Sequence, residues 1–271
     1  MVTGGASGIG EATVRKFAAV CWRTIIADIN AERGEKIAAE LRSGNCETRF
    51  VYLDVSDEAA IEKFAETVFS QDGAEALINS GGILQNATRL TAMRIEDFDR
   101  ILDINLRGSV LTGKAFGKRM AEAGSGSIIN MCSLTTFQAH PQPAYAMSKA
   151  ALKTLTEVMA AELGPQGVRV NAVAPGYTLT PAMRERIEKG ERDPSKVVSK
   201  SALRRFVEPS EIGEAIYFLC SAAAAAITGI VLPVDCGWLV YTAYSSAAPP
   251  SRSRKAVVLS HRDPTGRKFV D

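Results

Sequence analysis

The chain has 271 residues, 46% apolar, 23% charged and 7% aromatic, which fills one large core and excludes disorder along the whole length. A net charge of +2 argues against nucleic acid or a membrane surface as the main partner. Five cysteines without a C-x-x-C pair and two histidines leave little for a zinc site, so no metal is expected. Met1-Val2-Thr3-Gly4 does not read as a secretory signal, and the Ala-rich run over 219–234 is too interrupted for a membrane span. The expectation is a soluble, reduced, cytoplasmic protein.

In chain order, the first feature is Thr3-Gly4-Gly5-Ala6-Ser7-Gly8-Ile9-Gly10, directly before a helical pattern over 11–19. Glycines at 4, 8 and 10 permit a tight turn and close approach of backbone N–H groups to a pyrophosphate, with a helix dipole behind them. Only Met1 and Val2 precede the loop, where a strand of about five or six residues is expected. The first strand therefore reads as truncated, either a stub or a strand that starts upstream. Strands over 24–27, 49–53, 76–79, 127–131, 169–174 and 230–234 then alternate with helices over 31–42, 58–69, 98–123, 144–163 and 210–221. This alternation predicts an α/β fold whose parallel sheet is covered by helices on both faces. Residues 1–240 read as one domain, and the basic stretch 241–271 as a disordered or atypical tail.

Asp28 ends the second strand, where a carboxylate accepts hydrogen bonds from ribose hydroxyls and repels a 2′-phosphate. No Arg or Lys stands in the loop or just after Asp28, so NAD is expected rather than NADP. Tyr145 and Lys149, four apart in Tyr-Ala-Met-Ser-Lys, share one helical face. An ammonium beside a phenol favours the phenolate and brings it toward the working range, although an isolated pair at this spacing is common on helix surfaces.

The glycine loop, Asp28, Asn79-Ser80-Gly81-Gly82, Asn105, Ser133, the Tyr145/Lys149 pair, Pro175-Gly176 and Val234-Asp235-Cys236-Gly237 fall in order over residues 1 to about 240. Together they resemble the short-chain dehydrogenase/reductase family. The resemblance implies a doubly wound, Rossmann-like fold with a seven-stranded parallel sheet. It also implies hydride transfer between nicotinamide and a secondary alcohol or ketone, including sugars and polyols. By that resemblance Tyr145 is the general acid/base, and Lys149 lowers its pKa and holds the nicotinamide ribose. Ser133 bonds the substrate oxygen, and Asn105 kinks a helix and binds a water of the proton relay. Gly4, Ser7, Gly8, Ile9 and Gly10 correspond to the pyrophosphate loop, and Asp54 and Val55 to the adenine edge. Asn79 and Gly81 correspond to the adenosine ribose side, and Thr178 and Thr180 to the carboxamide and phosphate. The helices over 98–123 and 144–163 imply a homotetramer or homodimer. A non-catalytic dinucleotide-binding homologue is the alternative, and it would not need Asn105, Ser133, Tyr145 and Lys149 together.

The sequence also departs from the family pattern. Ser80 and Gly81 stand where Asn-Ala is usual, and Ser133 lies one residue closer to Tyr145, which puts Cys132 at the strictly counted position. Cys21-Trp22 replaces the Gly-Ala that turns the first helix into the second strand, and Cys236 replaces a glycine. The cysteines read as small buried hydrophobes. The segment 180–202 is expected to close over substrate, with Gly190 and Pro194 as breaks. Met183, Phe137, His140 and Gln142 are candidate pocket residues, His140 being read as a solvent-facing loop histidine.

Overall fold

The apolar runs become strands because they can be buried from both sides: Ile26, Leu77, Ile78, Ile128, Ile129 and Val170 have almost no exposed surface. In the computed structural model, which describes residues 1–44 and 46–247, the strands are β1 (Val2–Thr3), β2 (Thr24–Asp28), β3 (Thr48–Tyr52), β4 (Ala76–Asn79), β5 (Gly126–Met131), β6 (Val168–Pro175) and β7 (Val231–Val234). They pair in parallel in the order β3-β2-β1-β4-β5-β6-β7. The helices are α1 (Gly8–Ala19), α2 (Ala31–Ser43), α3 (Glu58–Gln71), α4 (Ile95–Leu102), α5 (Gly108–Glu122), α6 (Pro143–Leu163), α7 (Pro181–Glu188), α8 (Pro194–Val198), α9 (Pro209–Cys220) and α10 (Trp238–Ala247).

Two apolar layers sandwich the sheet. On one face Val14 and Phe17 of α1, Ile37 of α2 and Ile212 and Ile216 of α9 meet Ile26, Ile78 and Ile129. On the other, Ile61 and Val68 of α3, Phe116 of α5 and Met159 of α6 meet Leu77, Ile128 and Val170. Successive strand residues serve opposite layers, the period-two geometry of a pleated strand. This is the expected doubly wound α/β fold with a seven-stranded parallel sheet. β1 is two residues long, yet it sits at the centre: Val2 pairs with Ile26 and Ile78, and Thr3 with Ala27 and Asn79. The strand order reverses between β1 and β4, which opens a crevice at the carboxyl ends of the strands.

Two expectations need correction. The single helix over 98–123 is two, α4 and α5, joined by a π-helical turn at Asp103–Arg107. Buried Asn105 lies in that turn, and a side chain at Gly108 would meet Val55 at 2.9 Å, so the turn is closely packed. Gly190 and Pro194 fall at the break between α7 and α8, and Pro194 opens α8, where its missing N–H costs nothing. The chain also continues as α10 across residue 240 to Ala247, and the remainder of the basic tail lies outside the described residues. The Cys21-Trp22 junction is repacked as its bulk suggested: Cys21 takes a left-handed φ of 63°, and Trp22 packs edge-on against Phe17 at 5.1 Å. Cys236, standing in for glycine, likewise has φ 53°.

Candidate active site

Two adjoining hollows occupy the carboxyl ends of the strands. The larger, about 960 Å³, runs from Asp28 past Gly4, Ser7, Gly8, Ile9 and Gly10 to Tyr145 and Lys149, and is also lined by Asp54, Val55, Gly81 and Thr180. The smaller, about 290 Å³, is lined by Ser133, Tyr145, His140, Tyr177, Thr178, Thr180 and Trp238 among others. Tyr145 and Thr180 border both. A third cavity, about 770 Å³, lies at the opposite ends of the strands around Met1, Trp22 and Arg49 and touches none of the site residues.

The glycine loop owes its shape to what it excludes. Gly4 has φ +62°, and a Cβ there would sit 2.7 Å from Gly81 Cα; a Cβ on Gly10 would sit 2.1 Å from the Gly4 carbonyl oxygen. Gly8 has φ +53° with no atom nearer than 3.5 Å to such a Cβ, so the groove side of the loop stays open. Ser7 precedes α1 without making a side-chain cap, which leaves first-turn N–H groups of the helix directed at the groove. A groove of this length with uncapped N–H groups, a glycine cradle and a carboxylate at one end fits a dinucleotide.

Asp28 accepts from the Ala6 N–H (3.0 Å) and the Asn30 N–H (2.9 Å), using part of its acceptor capacity to brace the loop. The groove also holds two bases the sequence did not flag, Arg33 and Arg100. Arg33, one turn into α2, lines the groove, but its guanidinium is held by Glu11 at 2.8 Å. Asp54 folds over its own turn, accepting from the Ser56 N–H and hydroxyl. Asn79 departs from expectation: it is buried and does not line the groove. Its amide donates to Asn130 (3.0 Å), its carbonyl oxygen accepts from Thr112 (2.8 Å), and Asn130 in turn donates to Thr156 (3.0 Å). Backbone at Ser80, Gly81 and Gly82 forms the groove wall instead.

At the other end, α6 carries Tyr145 in its first turn. Gln85 accepts from the Tyr145 N–H (3.1 Å), and Gln142 donates to the Gln85 carbonyl, pinning the helix start to the loop after β4. Lys149 lies one turn on, buried, with its ammonium 5.5 Å from the Tyr145 ring centre and donating to the Met131 carbonyl at 2.7 Å. Burial draws Lys149 down to about 8. The expected lowering of Tyr145 is not found: burial pushes its hydroxyl above the ordinary value, and the neighbouring Ser133 hydroxyl offsets this only partly. Ser133 follows β5 in extended backbone and starts a 3-10 turn, where its oxygen accepts from the Thr135 N–H at 3.3 Å. Cys132 is buried, its thiol pushed up by desolvation, and its N–H bonds to Val173 in the sheet. Both residues line the smaller cavity, with Ser133 beside Tyr145. Asn105 accepts from the Ile83 N–H at 2.8 Å and donates to the Ile83 carbonyl at 3.0 Å, a side chain that splints the loop beneath Gly82.

Thr178 is buried and bonds the Gly176 carbonyl, whereas Thr180 caps α7 by accepting from the Met183 N–H. Met183 and Gln142 line the smaller cavity as expected; Phe137 does not and is exposed. His140 is corrected from solvent-facing to a half-buried wall residue, its Nε2 3.4 Å from the Tyr177 hydroxyl and its pKa lowered by burial and by Arg192. Tyr177, Arg192 and Trp238 also belong to this wall, without a motif to announce them. Cys21 is exposed rather than buried.

A doubly wound parallel sheet with a glycine-loop groove at its switch point defines a Rossmann-like dinucleotide-binding protein. A family model described as enoyl-(acyl carrier protein) reductase matches residues 4–239. The chain is 38% identical to D-threitol dehydrogenase of Mycolicibacterium smegmatis, over 89% of this chain and 92% of that one. It is 35% identical to 3-alpha-(or 20-beta)-hydroxysteroid dehydrogenase of Mycobacterium bovis, over 90% of each. The solved structure of ElxO with NADP bound has a TM-score of 0.84 at 28% identity, covering 88% of this chain and 97% of that one. The chain belongs to the short-chain dehydrogenase/reductase family, a family of nicotinamide-dependent oxidoreductases. Among the described residues no helix is long and apolar enough to cross a membrane, and no group of His, Cys, Asp and Glu forms a metal cluster.

Proposed function

We propose that this protein interconverts a secondary alcohol and its ketone with NAD as preferred cofactor, Tyr145 moving the proton. The observation that carries this is the meeting of Ser133, Tyr145 and Lys149 where the two hollows adjoin. In reduction the Tyr145 hydroxyl donates its proton to the carbonyl oxygen, and in oxidation the phenolate takes it back. Ser133 donates a hydrogen bond to the same oxygen as charge develops. Lys149, fixed by the Met131 carbonyl, places its positive charge beneath the tyrosine. A bound nicotinamide supplies or accepts the hydride. Joint retention of these groups with Asn105 favours catalysis over a non-catalytic homologue.

Asp28 supports NAD: a strand-end carboxylate on the groove repels a 2′-phosphate, and Arg33, the base nearest to it along the chain after β2, is engaged by Glu11. Exposed Val110 on α5 and Met147 and Val158 on α6 support pairing with further copies as a homodimer or homotetramer. The test is titration with NADH and NADPH, followed by turnover of secondary alcohols and their ketones by the wild type and Tyr145→Phe. Saturable NADH-preferring binding, with turnover about 100- to 10,000-fold lower in the variant, is expected. Unchanged turnover in Tyr145→Phe refutes the mechanism, and tighter NADPH binding refutes the cofactor assignment.

A further inference from the structure

The charged side chains on the wall of the smaller cavity are all positive. No Asp or Glu lines it, whereas Arg186 and Arg192 both do. Arg186 is exposed and spends its charge on Glu191, 3.5 Å away. Arg192 is half-buried, pairs with no carboxylate among the described residues, and lies 4.9 Å from the centre of the Tyr177 ring. Stacking on an aromatic face holds a guanidinium fork in place while leaving its N–H edge free to bind.

The tryptophan beside it makes the same demand. Trp238 is 9% exposed, its ring 5.6 Å from Tyr177, and its indole N–H is buried without a partner. Nδ1 of His140 and the Thr135 hydroxyl, on the same cavity, are also buried and unpartnered. Arginine and tryptophan nitrogens can only donate, so the ligand that satisfies both must present acceptors. A carboxylate does so and also answers the uncompensated positive charge. At about 290 Å³ the cavity sits at the small end of ligand sites, and Leu84, Met131 and Met183 make much of its remaining wall apolar.

We infer that the substrate is a small hydroxycarboxylate, or in reduction the matching oxocarboxylate, whose carboxylate is held by Arg192 and the indole N–H of Trp238. This rests on the oxidoreductase reading above and names its substrate class. Oxidation removes a hydride from the carbinol carbon to the oxidised dinucleotide and the hydroxyl proton to Tyr145. A C=O replaces the C–OH, and the carboxylate is unchanged.

The experiment compares hydroxycarboxylates of about four to six carbons with neutral polyols of the same carbon number, with NAD and with NADP. Binding of the same hydroxycarboxylates to cofactor-saturated protein is measured in parallel by calorimetry. Wild type should favour the carboxylates in kcat/KM, and Arg192→Met should lower the ratio of carboxylate to polyol by about 10- to 100-fold. Arg192→Lys, which restores charge without the fork, should recover part of that ratio. The NADH-induced thermal shift verifies that each variant is folded. A polyol preference untouched by Arg192→Met overturns the inference and leaves the oxidoreductase reading standing. Calorimetric binding that depends on Arg192, without turnover of any alcohol, supports the anion site and counts against the reading.

Discussion

One wall of the 960 Å³ groove is set by backbone: two glycines of left-handed φ, loop glycines that tolerate no Cβ, and the first N–H groups of α1. Around the 290 Å³ cavity the walls are side chains drawn from β5, α6, the turn after β6, the segment between α7 and α8, and α10. That wall of the first hollow is specified by a stretch of eight residues and one strand-end carboxylate. The second needs residues almost a hundred positions apart, His140 and Trp238, to meet on either side of Tyr177. A site made of backbone is fixed by local sequence and changes little without losing the loop. One made of side chains can change ligand by single substitutions while the frame stays intact.

The sharpest test of the backbone half is Gly10→Ala. Its Cβ has no room beside the Gly4 carbonyl, so NADH affinity should fall at least about 100-fold, with a loss of about 1–3 kcal/mol in denaturant unfolding. Retained NADH binding would show that the loop adjusts. In the side-chain half, Ser133→Ala should lower kcat by about 100-fold while leaving the NADH dissociation constant within about twofold, read by stopped-flow turnover and titration. A shared loss of both would mean that the two hollows are not separable. Asp28→Ala should reduce the NADH-over-NADPH ratio by about tenfold, measured by competitive titration, because the carboxylate that opposes a 2′-phosphate is gone.

A pH profile separates the two directions. Tyr145 is held above its ordinary value, so near neutrality it is protonated and ready as an acid. Reduction should be nearly flat up to about pH 8, whereas oxidation should rise with pH by at most about tenfold per unit. The slope should flatten as Lys149 loses its charge near 8. An oxidation rate that falls with rising pH would contradict this. The smallest effect lies outside both hollows: Cys21→Gly relieves a left-handed φ of 63° and should stabilise the fold by about 1 kcal/mol, a shift of about 2–4 °C in Tm.

The same contrast explains what the sequence made legible. The glycine loop and Asp28 could be read because each is a local pattern with a physical requirement, whereas the Tyr145/Lys149 pair, common in itself on helix surfaces, was carried by its context and the family resemblance. Strand positions were readable because burial on both faces demands continuous apolar runs. Asn79 was misplaced because its partners Thr112, Asn130 and Thr156 are remote in sequence, and nothing local distinguishes a groove amide from a buried one. Arg33 was overlooked because it lies five residues beyond Asp28, in the first turn of α2, although that turn begins at the same end of the sheet. The bend at Asn105 was carried by the family resemblance, while helical periodicity alone ran straight through it.

The polar chain behind the groove has a consequence for how sequences of this kind can drift. Thr112, Asn79, Asn130 and Thr156 tie α5, β4, β5 and α6 together through three bonds of 2.8–3.0 Å in a region with no access to water. Exchanging any one member for an apolar residue strands its neighbour's donor or acceptor, at about 1–3 kcal/mol each time. Change here is therefore easier in pairs than singly. In an alignment of relatives, these four positions should covary as a linked set, even where the residues that choose the substrate have diverged.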